Sequence, residues 1–180
     1  MSPRRPTIAA FGSSRVSEQD PRFHDAELLC EKLAQAGFDG LTGGHQGMMA
    51  AFAQGIHKGG GHVRGITLER FPTPPDNKLS EETRAHDFFD RMRQLIEEAD
   101  AYLVLPGGLG TLAELAMSWD LLAIRVLESR PLAIYGEMWE PVLNVLHKQL
   151  IMSVNHGFES ILLCGSHEET IQHLSPILKA

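Results

Sequence analysis

Ala101-Tyr102-Leu103-Val104-Leu105-Pro106-Gly107-Gly108-Leu109-Gly110-Thr111-Leu112-Ala113-Glu114 is the stretch whose reading sets the fold. Its first five residues are an unbroken apolar run, the pattern of a parallel strand buried on both faces, and residues 112–127 carry helical periodicity. Strand, glycine turn and helix in that order make a seat for a phosphate. Glycines without Cβ let an anion approach the main chain, and the first N–H groups of the helix lack intrahelical partners at the positive end of its dipole. Glu114 then stands one turn above the seat, within reach of the ribose of a nucleotide held there. Thr111-Leu112-Ala113-Glu114 also fits a capping box, in which Thr111 caps the helix and Glu114 reaches back to an orphan N–H. Two glycines before the turn exceed what a cap requires and favour the anion seat.

Outward from this stretch the chain alternates strand and helix. Residues 7–11 read as the first strand. Asp20-Pro21 starts a helix that Gly37 ends after Ala36. Residues 38–42 form the second strand, 47–58 a helix stopped by Gly59-Gly60-Gly61, and 62–67 the third strand. Residues 68–84, with three prolines and several charges, read as a long irregular connection bordering the site. The helix over 86–98 places Phe88, Phe89, Met92, Leu95, Ile96 and Ala99 on one buried stripe, with Arg91 at its rim. After the signature come a strand over 131–135, a helix over 140–152, a strand over 161–164 and a last helix capped at Ser166 with Glu169. Six strand-and-helix alternations predict an α/β fold: a single Rossmann-like, doubly wound parallel sheet with helices on both faces, one domain over residues 1–180.

The chain has 180 residues, 43% hydrophobic and 22% charged, enough for one domain with a full core. A net charge of −7, with 16 scattered basic residues, argues against a nucleic-acid partner. Cys30 and Cys164 read as reduced core thiols, which points to the cytoplasm. Apolar runs fall short of the roughly 20 residues that cross a bilayer, so no membrane partner is expected. The nine His residues show no metal-ligand spacing. A serine-nucleophile elbow, a Walker lysine and the dinucleotide fingerprint are missing, and no lysine lies in a motif where a Schiff base would form, so neither metal nor cofactor is expected.

The signature Pro-Gly-Gly-x-Gly-Thr-x-x-Glu resembles that of the Lonely Guy family, the cytokinin-activating phosphoribohydrolases long mislabelled lysine decarboxylases. Phe11-Gly12-Ser13-Ser14, Thr42-Gly43-Gly44-His45-Gln46-Gly47-Met48-Met49 and Phe88-Phe89-Asp90-Arg91-Met92 are similar in order and spacing to the family's other blocks, over residues 7–157. Where the family has Met-x-x-Arg-Lys, Phe88 replaces the Met, Arg91 matches and Met92 replaces the Lys; where it has a third glycine, His45 stands. The resemblance implies hydrolysis of the N-glycosidic bond of an N6-substituted or plain adenosine 5′-monophosphate. Glu114 and Arg91 would be catalytic, and Ser13, Gly43, Gly44, Gly107, Gly108, Gly110 and Thr111 would line the phosphate and ribose. By their own pattern the rim position of Arg91 also suits a side chain reaching to water. The resemblance implies a homodimer as well, and the helix over 112–127, apolar nearly all round, calls for cover on more than one side. The alternative from another class is a non-catalytic carrier, since proteins of this fold with similar glycine blocks carry a molybdenum cofactor without hydrolysing anything.

Overall fold

A computed structural model describes residues 4–179 apart from Pro72, Pro75, Ser153 and Asn155. Among the described residues seven parallel strands form one sheet: β1 (Thr7–Phe11), β2 (Asp39–Thr42), β3 (Val63–Thr67), β4 (Glu81–Arg84), β5 (Ala101–Val104), β6 (Leu132–Tyr135) and β7 (Leu162–Cys164), in the order β4-β3-β2-β1-β5-β6-β7. Helices α1 (Pro21–Ala36), α2 (Met48–Lys58) and α6 (His167–Leu174) cover one face. Helices α3 (Phe88–Glu97), α4 (Leu109–Ala123) and α5 (Trp139–Gln149) cover the other. Strand residues alternate between the two cores with the period of the pleat. Ile8, Ala10, Leu103 and Leu105 face α1 and α2, while Ala9, Phe11, Tyr102 and Val104 face α3 and α4.

Local chemistry marks most element ends. The Asp20 carboxylate accepts the Arg22 N–H, Gly37 closes α1 at φ 117°, and Ser166 accepts from the Glu169 N–H to start α6. Three expectations are corrected. Inside the connection over 68–84, Glu81–Arg84 forms an edge strand paired in parallel with β3, Arg64 opposite Glu81; its side chains are polar, so the backbone pairing leaves no apolar pattern to read. Helix α4 runs from Leu109 to Ala123 rather than over 112–127, because Leu112 N–H already bonds Gly108 C=O, and Arg125 at φ 59° ends it. Phe88 and Phe89, expected on the buried stripe of α3, are 51% and 76% exposed at its start, while Met92, Leu95 and Ile96 are buried.

Both cysteines are buried free thiols. No helix among the described residues is long and apolar enough to cross a membrane.

The chain reverses its direction of travel across the sheet between β1 and β5, and the loops that leave these two strands part to open a crevice. Main-chain bonds fix its rim: Ser13 N–H donates to Pro106 C=O at 3.0 Å, and Met48 N–H to Ser13 C=O at 2.8 Å. Gly47 permits the second contact, at φ 72° and ψ −136°, with a Cβ there driven into the Ser13 carbonyl. Gly47→Ala should therefore destabilise the fold by at least about 2 kcal/mol, the scale of a side chain forced into glycine-only backbone. Urea unfolding measures it, and a variant within about 0.5 kcal/mol of the parent would show that the rim is pliable.

Candidate functional site

Loops after β1, β2, β3 and β5 and the start of α3 and α4 enclose a cavity of about 370 Å3 at this crevice. Seven of the nine site residues read from the sequence line it: Ser13, Gly43, Arg91, Gly108, Gly110, Thr111 and Glu114. Gly44 and Gly107 do not. Gly44, at φ 69°, turns the chain where a Cβ would meet Thr67, and Gly107 lets Thr111 pack on the turn. By contrast a Cβ on Gly108 or Gly110 would meet only open space, so these two glycines bare the main chain to the cavity.

The start of α4 differs from a capping box. Gly108 is the cap residue and supplies no side-chain bond, Thr111 lies inside the first turn, and Glu114 sits in the second. The N–H groups of Leu109, Gly110 and Thr111 are therefore left without intrahelical partners, where the helix dipole favours an anion. Glu114 turns away from the backbone toward Arg91. Its Oε1 lies 3.7 Å from Arg91 Nη1, with the two side chains 14% and 12% exposed. Arg91 is aimed inward rather than to water: its Nε–H donates to Ile66 C=O at 2.8 Å, and Gly43 leaves room for the guanidinium.

Burial pushes the Glu114 carboxyl up to about 7, against the pull of Arg91. Desolvation also lowers Arg91, with Glu114 opposing, but a guanidinium stays charged at neutral pH. A carboxylate titrating near neutrality beside a fixed cation can bind a proton, release it, or stabilise a developing positive charge.

Sequence reasoning missed the opposite wall, made by Arg15, Met49, Leu68, Phe71 and Phe88. Phe71 belongs to the long connection, whose bordering of the site was expected, and Phe88 was assigned to the core. A signal existed for Phe88: it directly follows the cap residue Asp87, where a side chain projects beyond the packed part of a helix. His45 closes this side, its ring edge-on to Phe71 at 6.2 Å.

A family model described as "Possible lysine decarboxylase" matches residues 49–174. The chain belongs to this family. Among its curated relatives, it is 30% identical over 145 residues to a cytokinin riboside 5′-monophosphate phosphoribohydrolase of Arabidopsis thaliana, covering 77% of this chain and 65% of that protein. It is 30% identical over 164 residues to a probable enzyme of the same name from Oryza sativa subsp. japonica, covering 84% and 65%. The matches thus span less than two thirds of those relatives. A molybdenum cofactor binding protein from Rippkaea orientalis shares the fold, with a TM-score of 0.74 at 20% identity over 98% of this chain and 99% of that one.

Because Arg91 holds the Glu114 carboxyl down against burial, Arg91→Met should move its titration above about 7. Carbon-13 NMR of the glutamate carboxyls reads this directly. An unmoved resonance would show that the two groups do not interact.

Proposed function

We propose that the protein hydrolyses the N-glycosidic bond of an adenosine 5′-monophosphate, plain or N6-substituted, to free base and ribose 5-phosphate. The observation that carries this reading is the buried Arg91–Glu114 pair set directly above an open helix N-terminus in one cavity. The 5′-phosphate sits on the N–H groups of Leu109, Gly110 and Thr111, with Ser13 and Arg15 beside it. The ribose then lies over Glu114, and the base extends toward Phe71 and Phe88, whose faces suit stacking. The C1′–N bond breaks with its electron pair staying on the base, leaving an oxocarbenium-like sugar that the Glu114 carboxylate stabilises. Water forms the new C1′–O bond while Glu114 takes its proton. Arg91 fixes that carboxylate and keeps a share of it ionised. Among the described residues no lysine lines the cavity, so the Schiff base that amino-acid decarboxylation on pyridoxal requires has no residue there.

The names of the plant relatives support the phosphoribohydrolase reading, and the buried ion pair favours it over a carrier, which needs no titrating carboxylate beside the sugar.

For assembly we propose a homodimer through α4. Within one chain, Leu115, Trp119, Leu122 and Ala123 are buried, with Trp119 packed on Phe158 at 4.9 Å, but Met117 within the helix and Ile124 and Val126 just past it remain 41%, 43% and 66% exposed. A monomer mass near 19.9 kDa by light scattering at micromolar concentration would refute it; Ile124→Glu should split a true dimer, whereas Leu122, at 8% exposure, belongs to the core and is no interface probe.

The test of the chemistry is chromatographic release of free base from AMP and isopentenyl-AMP. Glu114→Gln should lower turnover by at least about 100-fold while AMP affinity stays within several-fold. Since Glu114 must be ionised to take a proton, kcat/KM should fall tenfold per pH unit below about 7 and level off above it. A Glu114→Gln variant of undiminished rate would remove Glu114 from the chemistry, and AMP binding by the parent with no base release under any condition would move the assignment to a carrier.

A further inference from the structure

The departing base needs a partner of its own. Breaking the C1′–N bond leaves an electron pair on a purine ring, and a purine leaves slowly unless a donor meets one of its ring nitrogens. Glu114 is an acceptor when it works, and Arg91 is committed to Ile66 C=O and Glu114. Ser13 lies on the loop and Thr111 in the first helical turn that together build the anion seat, and Arg15 N–H donates to Ser13 Oγ. At the aromatic end of the cavity stands His45, edge-on to Phe71.

Its ring is fixed in one protonation form by its neighbours. His45 Nδ1 accepts the backbone N–H of Gln46 at 2.8 Å, so that nitrogen carries a lone pair and the ring proton resides on Nε2. Partial burial and the charge of Arg91 both disfavour the imidazolium and so favour the neutral ring. The main chain at this position is anchored too, with Asn77 Nδ2–H donating to His45 C=O at 3.1 Å. Nε2–H has no hydrogen-bond partner among the described residues and is not a closed-off buried atom, and His45 is among the residues that line the cavity.

We propose that His45 receives the leaving base, donating from Nε2–H to a ring nitrogen of the departing purine and stabilising the electron pair released there. This rests on the nucleotide-hydrolysis reading. The histidine acts as a hydrogen-bond donor and neither gains nor loses a proton over the cycle. The proton that finally resides on the base comes from the attacking water, through Glu114 and solvent.

His45→Phe keeps a ring against Phe71 and removes the donor, while His45→Gln keeps a side-chain N–H and guards against a folding defect. Each is assayed on AMP and on 4-nitrophenyl β-D-ribofuranoside 5-phosphate, whose nitrophenolate leaves without help. With His45→Phe, kcat on AMP should fall about 10–100-fold with KM within about threefold, and the nitrophenyl substrate should lose less than about threefold. His45→Gln should recover part of the loss on AMP. Equal losses on both substrates would make His45 a structural residue, and an unchanged kcat on AMP would end its role; either overturns the inference while leaving hydrolysis intact. A parent protein that releases base from neither substrate would overturn the hydrolysis reading itself, and this inference with it.

Discussion

The ion pair between Arg91 and Glu114 is the interaction on which the rest of this site depends. Removing two charges from water costs several kcal/mol per ion, and such pairs are often no better for stability than apolar residues of equal volume. What the pair supplies is a carboxyl raised toward neutrality by burial and kept from full protonation by a fixed cation. The surroundings serve that balance. Gly43 makes room for the guanidinium, Ile66 C=O holds its Nε, and α4 presents Glu114 from its second turn.

The sheet makes the geometry possible. Parallel strands bring all their C-terminal ends to one edge, and the reversal of strand order at β1 and β5 opens the crevice there. Rigid pairing on either side, Phe11 opposite Val104 and Ala10 opposite Thr42, fixes where each loop departs. Backbone amides can then serve as the anion site, and a chain with net charge −7 needs no broad basic surface to hold a phosphate. In the proposed complex the charge is local, in one helix N-terminus with Arg91 and Arg15 nearby.

Much of this was legible in the sequence because buried parallel strands are continuous apolar runs and because glycines, Asp20-Pro21 and Ser166 punctuate the helices by their own chemistry. Six of the seven strands and all six helices can be read that way. Glu81–Arg84 cannot, since an exposed edge strand is held by its backbone and its side chains carry no pattern. The start of α4 was ambiguous for a different reason: Thr111 and Glu114 have the spacing of a capping box, and only the fold shows Glu114 turned to Arg91. Of the seven sequence-read residues that line the cavity, Ser13, Gly43 and Gly108 lie in motif turns, where residue type reports backbone shape, whereas Arg91 and Glu114 lie within helices and were singled out by the motif they complete. Phe71 was missed as lining because it was read only as part of a long connection, and Phe88 because an aromatic residue on a helix stripe reads as core until its neighbours in space are known.

In the proposed reaction the glycine turn and the helix N-terminus hold a phosphate whose binding positions the sugar for attack. The rate of base release from AMP against adenosine at matched concentrations tests this most directly. Remote phosphate contacts that position the reacting centre raise turnover as well as affinity, so AMP should react at least about 100-fold faster, with ribose 5-phosphate as a competitor. Equal rates for nucleotide and nucleoside, without inhibition by ribose 5-phosphate, would contradict it and leave the glycines a purely structural part.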